Sequence, residues 1–192
     1  MPEVLPHIDR SIALSRRVLE IDKAVGSRQN LAKALYSRGV IAARAGDPAA
    51  AARCFRECLE IREGLADRDV SSYRKQVDLL EVLARAGAHE RAAQLAEKLR
   101  LDHQKNAEFL ICAARCYAQC SLAAPDKSAL QRRYLEMALA ASETALEQGY
   151  KDLITLETHP DLDPVRESSA FKKQLEKVRT APSRKSAPDA DR

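Results

Sequence analysis

The sequence predicts an all-α protein built as an array of helical repeats, and three observations support this prediction. The string Leu-Glu-Ile occurs at 19–21 and at 59–61, and the string Ala-Arg-Ala-Gly occurs at 43–46 and at 84–87. These offsets of 40 and 41 residues are typical of repeats that contain two helices each. Apolar residues recur with a helical period, and no alternating β-branched run is long enough for a strand. Because such a unit buries its apolar face only against neighbouring repeats, the pattern favours a binding surface over a catalytic cleft.

Turn residues divide the N-terminal half of the chain into five predicted helices. Asn30 is expected to cap the second helix. Gly46 and Pro48 separate the second helix from the third, because Pro is tolerated in the first turn of a helix but not in its interior. Gly87 turns the chain between the fourth and the fifth. The predicted ranges are 8–25, 30–45, 48–66, 71–86 and 89–101, and the predicted apolar side of the first helix consists of Ile12, Leu14, Val18, Leu19 and Ile21.

Three more helices are predicted at 106–122, 128–148 and 168–179. Gly149 follows the second of these, where a left-handed cap residue is expected. Residues 180–192 contain Pro, Ser, Ala and charged residues, so we expect a disordered tail. The predicted organisation is one array over 1–179, with an unpaired first helix at 8–25, repeats at 30–66 and 71–101, a third hairpin at 106–149 and a cap at 150–179.

Composition and charge narrow the possible functions. The 192 residues are 45% apolar and 31% charged, as in folded globular proteins. The net charge of +4 is small, and three Phe, five Tyr and no Trp leave few rings to stack on bases, so we do not expect a nucleic-acid partner. Charged residues interrupt every apolar run and no signal peptide is evident, so we expect no membrane partner and a cytoplasmic protein.

Around Gly46 and Gly87 the sequence resembles the tetratricopeptide repeat. That family places small residues where two antiparallel helices touch, a turn Gly between them, and an Ala and an aromatic residue in the second helix. At the family's offsets the first unit has Gly39, Ala51 and Phe55, whereas the second has Ala92 with Leu80 and Ala96 in place of the Gly and the aromatic residue. The resemblance implies a short α-solenoid of helical hairpins that binds proteins.

Residues 107–178 resemble the closing segment of tetratricopeptide regions in bacterial eukaryotic-like serine/threonine kinases. The resemblance is carried by the strings at 113–118, 146–152 and 159–166, followed by Phe171 and Leu175. It implies a C-terminal capping helix, whose polar outer side would carry Lys172, Lys173, Glu176 and Lys177. The kinase itself is not expected, because the sequence has no Gly-rich phosphate loop, no His-Arg-Asp string and no Asp-Phe-Gly string. We therefore do not expect an enzyme.

Five cysteines are spaced so that each set lies on one face of a helix. The two sets are Cys54 with Cys58, and Cys112 with Cys116 and Cys120. Thiolates four residues apart could meet a soft cation, but zinc sites usually have a two-residue gap on a turn. We expect buried, free thiols that pack between helices, with metal binding and redox chemistry as the alternatives. No cofactor is predicted.

Histidines and aspartates also carry little sign of catalysis. The four histidines are scattered over predicted loops and helix starts, where we expect solvated side chains: His7, His89, His103 and His159. Asp161 and Asp163 flank Leu162, and we expect them to cap local turns next to the neighbouring prolines. A single pair of carboxylates has too few ligands for calcium.

The family's ligand-facing positions predict a groove lined by the first helix of each repeat. They fall on Lys33, Tyr36, Val40, Ala43 and Arg44 in the first unit and on Arg74, Val77, Glu81, Ala84 and Arg85 in the second. Arg44 and Arg85 are equivalent, and together they could hold carboxylates; the alternative is a solvated helix face. Val40 and Val77 interrupt the Lys and Asn pattern by which chaperone-binding members hold a C-terminal carboxylate.

The predicted function is a protein-protein interaction scaffold that binds a protein or an acidic or extended peptide. One alternative is a regulatory repeat region of a serine/threonine kinase whose catalytic domain lies elsewhere, and another is a nucleic-acid binder built on a basic helical stack. The first predicted helix of the chain resembles the second helix of a repeat whose first helix is missing upstream. We therefore expect residues 8–25 to self-associate or to contact an upstream segment, because the apolar row would otherwise stay exposed.

Overall fold

The computed structural model describes residues 4–21 and 25–180, and this part of the chain is helical with no β-strand. The prediction of an all-α protein is therefore confirmed for these residues. The helices are α1 (Val4–Ile21), α2 (Val25–Arg44), α3 (Pro48–Asp67), α4 (Tyr73–Arg85), α5 (His89–Asp102), α6 (Ala107–Ala123), α7 (Ala129–Glu147), α8 (Leu153–Thr158), α9 (Asp163–Arg166) and α10 (Ser169–Thr180), with a 3₁₀ turn at Pro160–Leu162. Helices α1 to α7 pack against their neighbours in chain order. The 3₁₀ turn and α9 pack on α6, α9 and α10 pack on α7, and α8 packs on the 3₁₀ turn.

Local chemistry explains most of the helix ends. The carboxylate of Asp47 accepts a hydrogen bond from the backbone N–H of Ala50 at 2.8 Å, directly before Pro48. Asn106 and Ser128 cap α6 and α7 in the same way, at the residues where these two helices were predicted to start. The turn glycines adopt left-handed backbone angles, with φ of +77° at Gly46, +79° at Gly87 and +91° at Gly149.

Three predicted boundaries differ from the structure. The first helix, predicted at 8–25, is Val4–Ile21, and Val25 belongs to α2. Helix α2 begins at Val25, so Asn30 lies within the helix and does not cap it. Asn30 is exposed there, and an exposed Asn disfavours a helix only weakly. In the C-terminal region the sequence predicted one helix at 168–179, whereas α8, the 3₁₀ turn and α9 precede it. The predicted disordered tail falls almost entirely on 181–192, which lie outside the described residues.

The buried side chains form two clusters that share Leu59 and Leu79 at their boundary. The first cluster joins α1 to α4 and includes Phe55, whose ring lies against Gly39 of α2. The second extends from α4 to α10 and includes Phe171, which is fully buried. The four polar residues predicted for the outer side of the last helix, 172, 173, 176 and 177, are exposed.

The cysteines follow the packing interpretation. Four of the five are buried, and all are free thiols: Cys54, Cys58, Cys112, Cys116 and Cys120. Burial raises the pKa of the Cys58 thiol to about 11 and that of the Cys120 thiol to about 12. Both groups are therefore protonated at neutral pH and poor nucleophiles.

We expect iodoacetamide to alkylate the native protein at Cys54 alone, because Cys54 is the cysteine that solvent reaches. Intact-mass spectrometry at pH 8 should show one addition to the native protein and five in urea. The Cys54→Ser variant should show none in the native state. Rapid addition of more than one group would contradict the burial of the other four.

Within residues 4–21 and 25–180, none of the helices has the length and apolar content to cross a lipid bilayer.

Candidate functional site

The structure divides the predicted groove residues into an open group and a closed group. Lys33, Ala43 and Arg44 on α2 and Arg74 on α4 are exposed. The remaining predicted residues are half-buried or buried: Tyr36, Val40, Val77, Glu81, Ala84 and Arg85. Core packing covers Tyr36, Val40 and Val77, and a C-terminal segment of the same chain covers Arg85 at the end of α4.

Asp161, in the 3₁₀ turn, closes the α4 part of the groove. Its side chain is 5% exposed and forms an ion pair with Arg85, whose side chain is 11% exposed. The second carboxylate oxygen lies 3.3 Å from a guanidinium nitrogen of Arg115. The prediction that Asp161 caps a local turn is therefore wrong, because its partners lie on α4 and α6. Asp163 does pair locally, with Arg166 one turn later.

Tyr36 and two arginines form the layer next to Asp161. Arg85 Nε donates a hydrogen bond to the phenol oxygen of Tyr36 at 3.1 Å. The guanidinium of Arg62 lies 5.1 Å from the centre of the same ring, within the range of a cation-π contact. Burial, reinforced by the charge of Glu81, raises the pKa of Tyr36 well above its ordinary value. The phenol is therefore neutral, and it packs as part of the protein interior.

The histidines are less solvated than predicted. His159 is half-buried, and burial together with the charge of Arg115 lowers its pKa, so it is neutral at pH 7. Its Nδ1 accepts a hydrogen bond from the backbone N–H of Asp161 at 3.2 Å, which fixes the turn. His89 lies 3.1 Å from the phenol of Tyr134, and the ring of His103 packs against an aromatic neighbour. Of the four, His7 alone is exposed.

The two arginines predicted to hold carboxylates of a ligand have different surroundings in the structure. In the sequence, Arg44 and Arg85 occupy equivalent positions, and both were expected to hold acidic groups of a ligand. In the structure, Arg85 holds an acidic group of the chain itself, and Arg44 stays exposed. Of this equivalent pair, only the arginine on α2 is therefore open to a ligand.

An open groove of about 690 Å³ lies between α1 and α2 and includes Lys33. Its apolar lining consists of Ile8, Leu14, Val18 and Ala34, and its small polar lining consists of Ser11, Ser15, Ser27, Asn30 and Ser37. His7 and Arg10 complete it. The predicted binding residue Lys33 and the predicted self-association helix thus line one surface, which we call the α1–α2 groove.

The apolar row of α1 is split between the core and this groove. Ile12 is 8% exposed and belongs to the first core cluster, and Leu19 packs beside it. Leu14 is 51% exposed and Val18 is 45% exposed, and both line the α1–α2 groove. Ile21, at the end of the helix, is 89% exposed. The sequence identified these side chains but could not say which of them the rest of the chain covers.

Among the residues that the structure describes, those with a permanent charge that line the α1–α2 groove are Arg10 and Lys33, and none of the lining residues is acidic. Asp9, on α1, lies on the opposite side, where it accepts a hydrogen bond from Arg38 at 2.8 Å. Sequence reasoning missed Arg10 and the serines. The 40-residue offset could have found two of the serines, because it aligns Ser11 and Ser15 with positions that face α2 from α3.

Among the residues that the structure describes, no three His, Cys, Asp or Glu side chains group in a way that could hold a metal ion. A comparison of the chain with protein-family models, curated proteins and solved structures finds no match.

Proposed function

We propose that the chain is a tetratricopeptide-like helical array that binds a protein partner in the α1–α2 groove. The observation that carries this proposal is the open groove itself. Its apolar side chains Leu14 and Val18 are about half exposed, and polar and basic residues surround them. Exposed apolar patches with a polar rim are typical of interaction sites.

Two features support the tetratricopeptide-like arrangement. The backbone of α2 approaches α3 closely at Gly39, where an added Cβ would lie 2.6 Å from the ring of Phe55. The turns at Gly46 and Gly87 lie one repeat apart and have nearly the same backbone angle. Both features are those that the family resemblance implies for a stack of helical hairpins.

The binding surface in this proposal differs from the one that the family offsets indicate. Arg85 pairs with Asp161 of the 3₁₀ turn and Glu81 pairs with Arg115 of α6, so a partner reaches this end of α4 less readily than the exposed residues of α2. Lys33 lies at the groove, and Arg44 lies farther along α2 toward its C-terminus, also exposed. We therefore assign the first contact with the partner to α1 and α2.

Site-specific photo-crosslinking tests the proposal. A benzoylphenylalanine at position 18, in the native producing cells, should give a discrete adduct, because Val18 lines the groove. The same amino acid at position 154 is the control, since Ile154 is 73% exposed and lies on α8. The position-18 adduct should disappear when Leu14 is changed to Lys. Equal adducts at both positions, or none at position 18, would contradict the proposal.

A further inference from the structure

We propose that the occupant of the α1–α2 groove is an amphipathic α-helix of a partner chain, with acidic residues beside its apolar face. The inference deepens the proposed function and rests on it. In this proposal the partner helix packs against α1 in the same way that α2 packs against α3. Three observations lead to it: an internal equivalence, an uncovered helix face and the charge around that face.

The equivalence comes from the repeat offset. A shift of 40 residues aligns Ser11, Ser15 and Val18 of α1 with Ala51, Phe55 and Cys58 of α3. These three positions of α3 are each no more than 5% exposed.

Helix α2 is what covers them. The Phe55 ring lies against Gly39, and the Cys58 thiol donates a hydrogen bond to the carbonyl of Ala32 at 3.2 Å. The face of α1 that carries Ser11, Ser15 and Val18 therefore corresponds to a face of α3 that a helix covers.

On α1 this face is open. Val18 is 45% exposed where Cys58 is fully buried, and Ser11 is exposed where Ala51 is buried. Ser15 takes the position of Phe55 and fills much less space. In the α2–α3 pair, the small Gly39 lies opposite the large Phe55. On α1 the small residue is Ser15, so a helix that occupies this groove can carry a large apolar side chain opposite it.

The charge around the groove selects an acidic helix over a second copy of this chain. Arg10 and Lys33 line the groove, and none of its lining residues within 4–21 and 25–180 is acidic. The described α1 carries three arginines and two acidic residues. One of each is paired on the opposite side, Asp9 with Arg38 and Arg16 with Glu57, so two arginines and one glutamate remain. Packing α1 of one copy into the groove of another would bring like charges together, whereas Glu or Asp beside an apolar face would pair with Arg10 and Lys33.

A designed peptide provides the probe. It has 20 residues, the length of α2, and is held helical by a hydrocarbon staple, with Leu and Phe on one face and Glu on both flanks. A matched peptide has Lys at every Glu position. Fluorescence anisotropy at low and high salt measures the binding of each peptide to the full chain.

We expect the Glu peptide to bind and the Lys peptide to bind at least about tenfold more weakly. The variant Arg10→Glu with Lys33→Glu should reverse this preference. The matched control, Arg56→Glu with Lys98→Glu, changes two exposed residues outside the groove and should keep the preference of the parent. Val18→Lys should weaken both peptides, and circular dichroism checks that each variant is folded.

Each of the following outcomes would overturn the inference. Equal binding of both peptides would remove the role of charge, and an unchanged preference in the Arg10 and Lys33 variant would place the peptide elsewhere. If neither peptide binds while light scattering shows a parent dimer that Val18→Lys dissociates, the occupant is a second copy and the proposed function stands. If neither peptide binds, the parent is monomeric and position 18 gives no crosslink, both the inference and the proposed function are wrong.

Discussion

Replacement of Asp161 by Asn is expected to lower the free energy of unfolding by about 3 kcal/mol. The Asp161 side chain is 5% exposed and lies between the guanidinium groups of Arg85 and Arg115. Removing its charge leaves two largely buried cations with fewer partners, and one of them, Arg115, already has a buried Nε without a hydrogen-bond partner. Urea denaturation followed by far-UV circular dichroism measures the effect.

Asp163→Asn is the matched control, because it removes the same kind of charge two residues away. The Asp163 side chain is 60% exposed and pairs with Arg166 within one turn, so its loss should change the free energy of unfolding by no more than about 0.5 kcal/mol. Combining Asp161→Asn with Arg85→Gln should cost less than the sum of the two single changes, since both remove the same pair. Equal effects of the two Asn variants would mean that the 3₁₀ turn does not lie on α4 in solution.

The sequence predicted the helices well because their ends depend on local chemistry. Gly46, Gly87 and Gly149 turn the chain, and Asn106 and Ser128 cap the helices that follow them. These signals act over three or four residues, so they can be read directly from the sequence. The elements α8 and α9 were missed because they have six and four residues, too few for a helical period.

The candidate site was predicted in part, and its limits have a physical cause. Lys33 and the apolar row of α1 were identified, but the closure of Arg85 was not, because Asp161 lies 76 residues away in the chain. No local pattern specifies such a contact. The two equivalent arginines therefore differ in what a change to Glu would do. At the exposed Arg44 the change leaves the fold unaffected, whereas Glu at position 85 would lie against Asp161.

Gly39→Leu is expected to lower the free energy of unfolding by about 1 to 3 kcal/mol. Gly39 is buried in α2, and a Cβ at this position would lie 2.6 to 2.9 Å from three atoms of the Phe55 ring. The ring is 4% exposed and belongs to the core that joins α2 and α3, so it has little room to move. A larger side chain therefore forces the two helices apart. Thermal unfolding monitored by circular dichroism gives the change in stability.

Gly64→Leu separates this contact from the general effect of replacing a helical glycine. Gly64 lies in α3, is exposed, and has no heavy atom within 4 Å of an added Cβ. Leucine there should stabilise the protein by up to about 1 kcal/mol, because glycine is a poor helix former. Combining Phe55→Ala with Gly39→Leu should cost less than the sum of the two single changes, since the smaller side chain at position 55 leaves space for the leucine. If the two leucine variants unfold at the same temperature, α2 does not approach α3 closely at Gly39. The equivalence between α1 and α3, on which the proposal of a partner helix depends, would then be wrong as well.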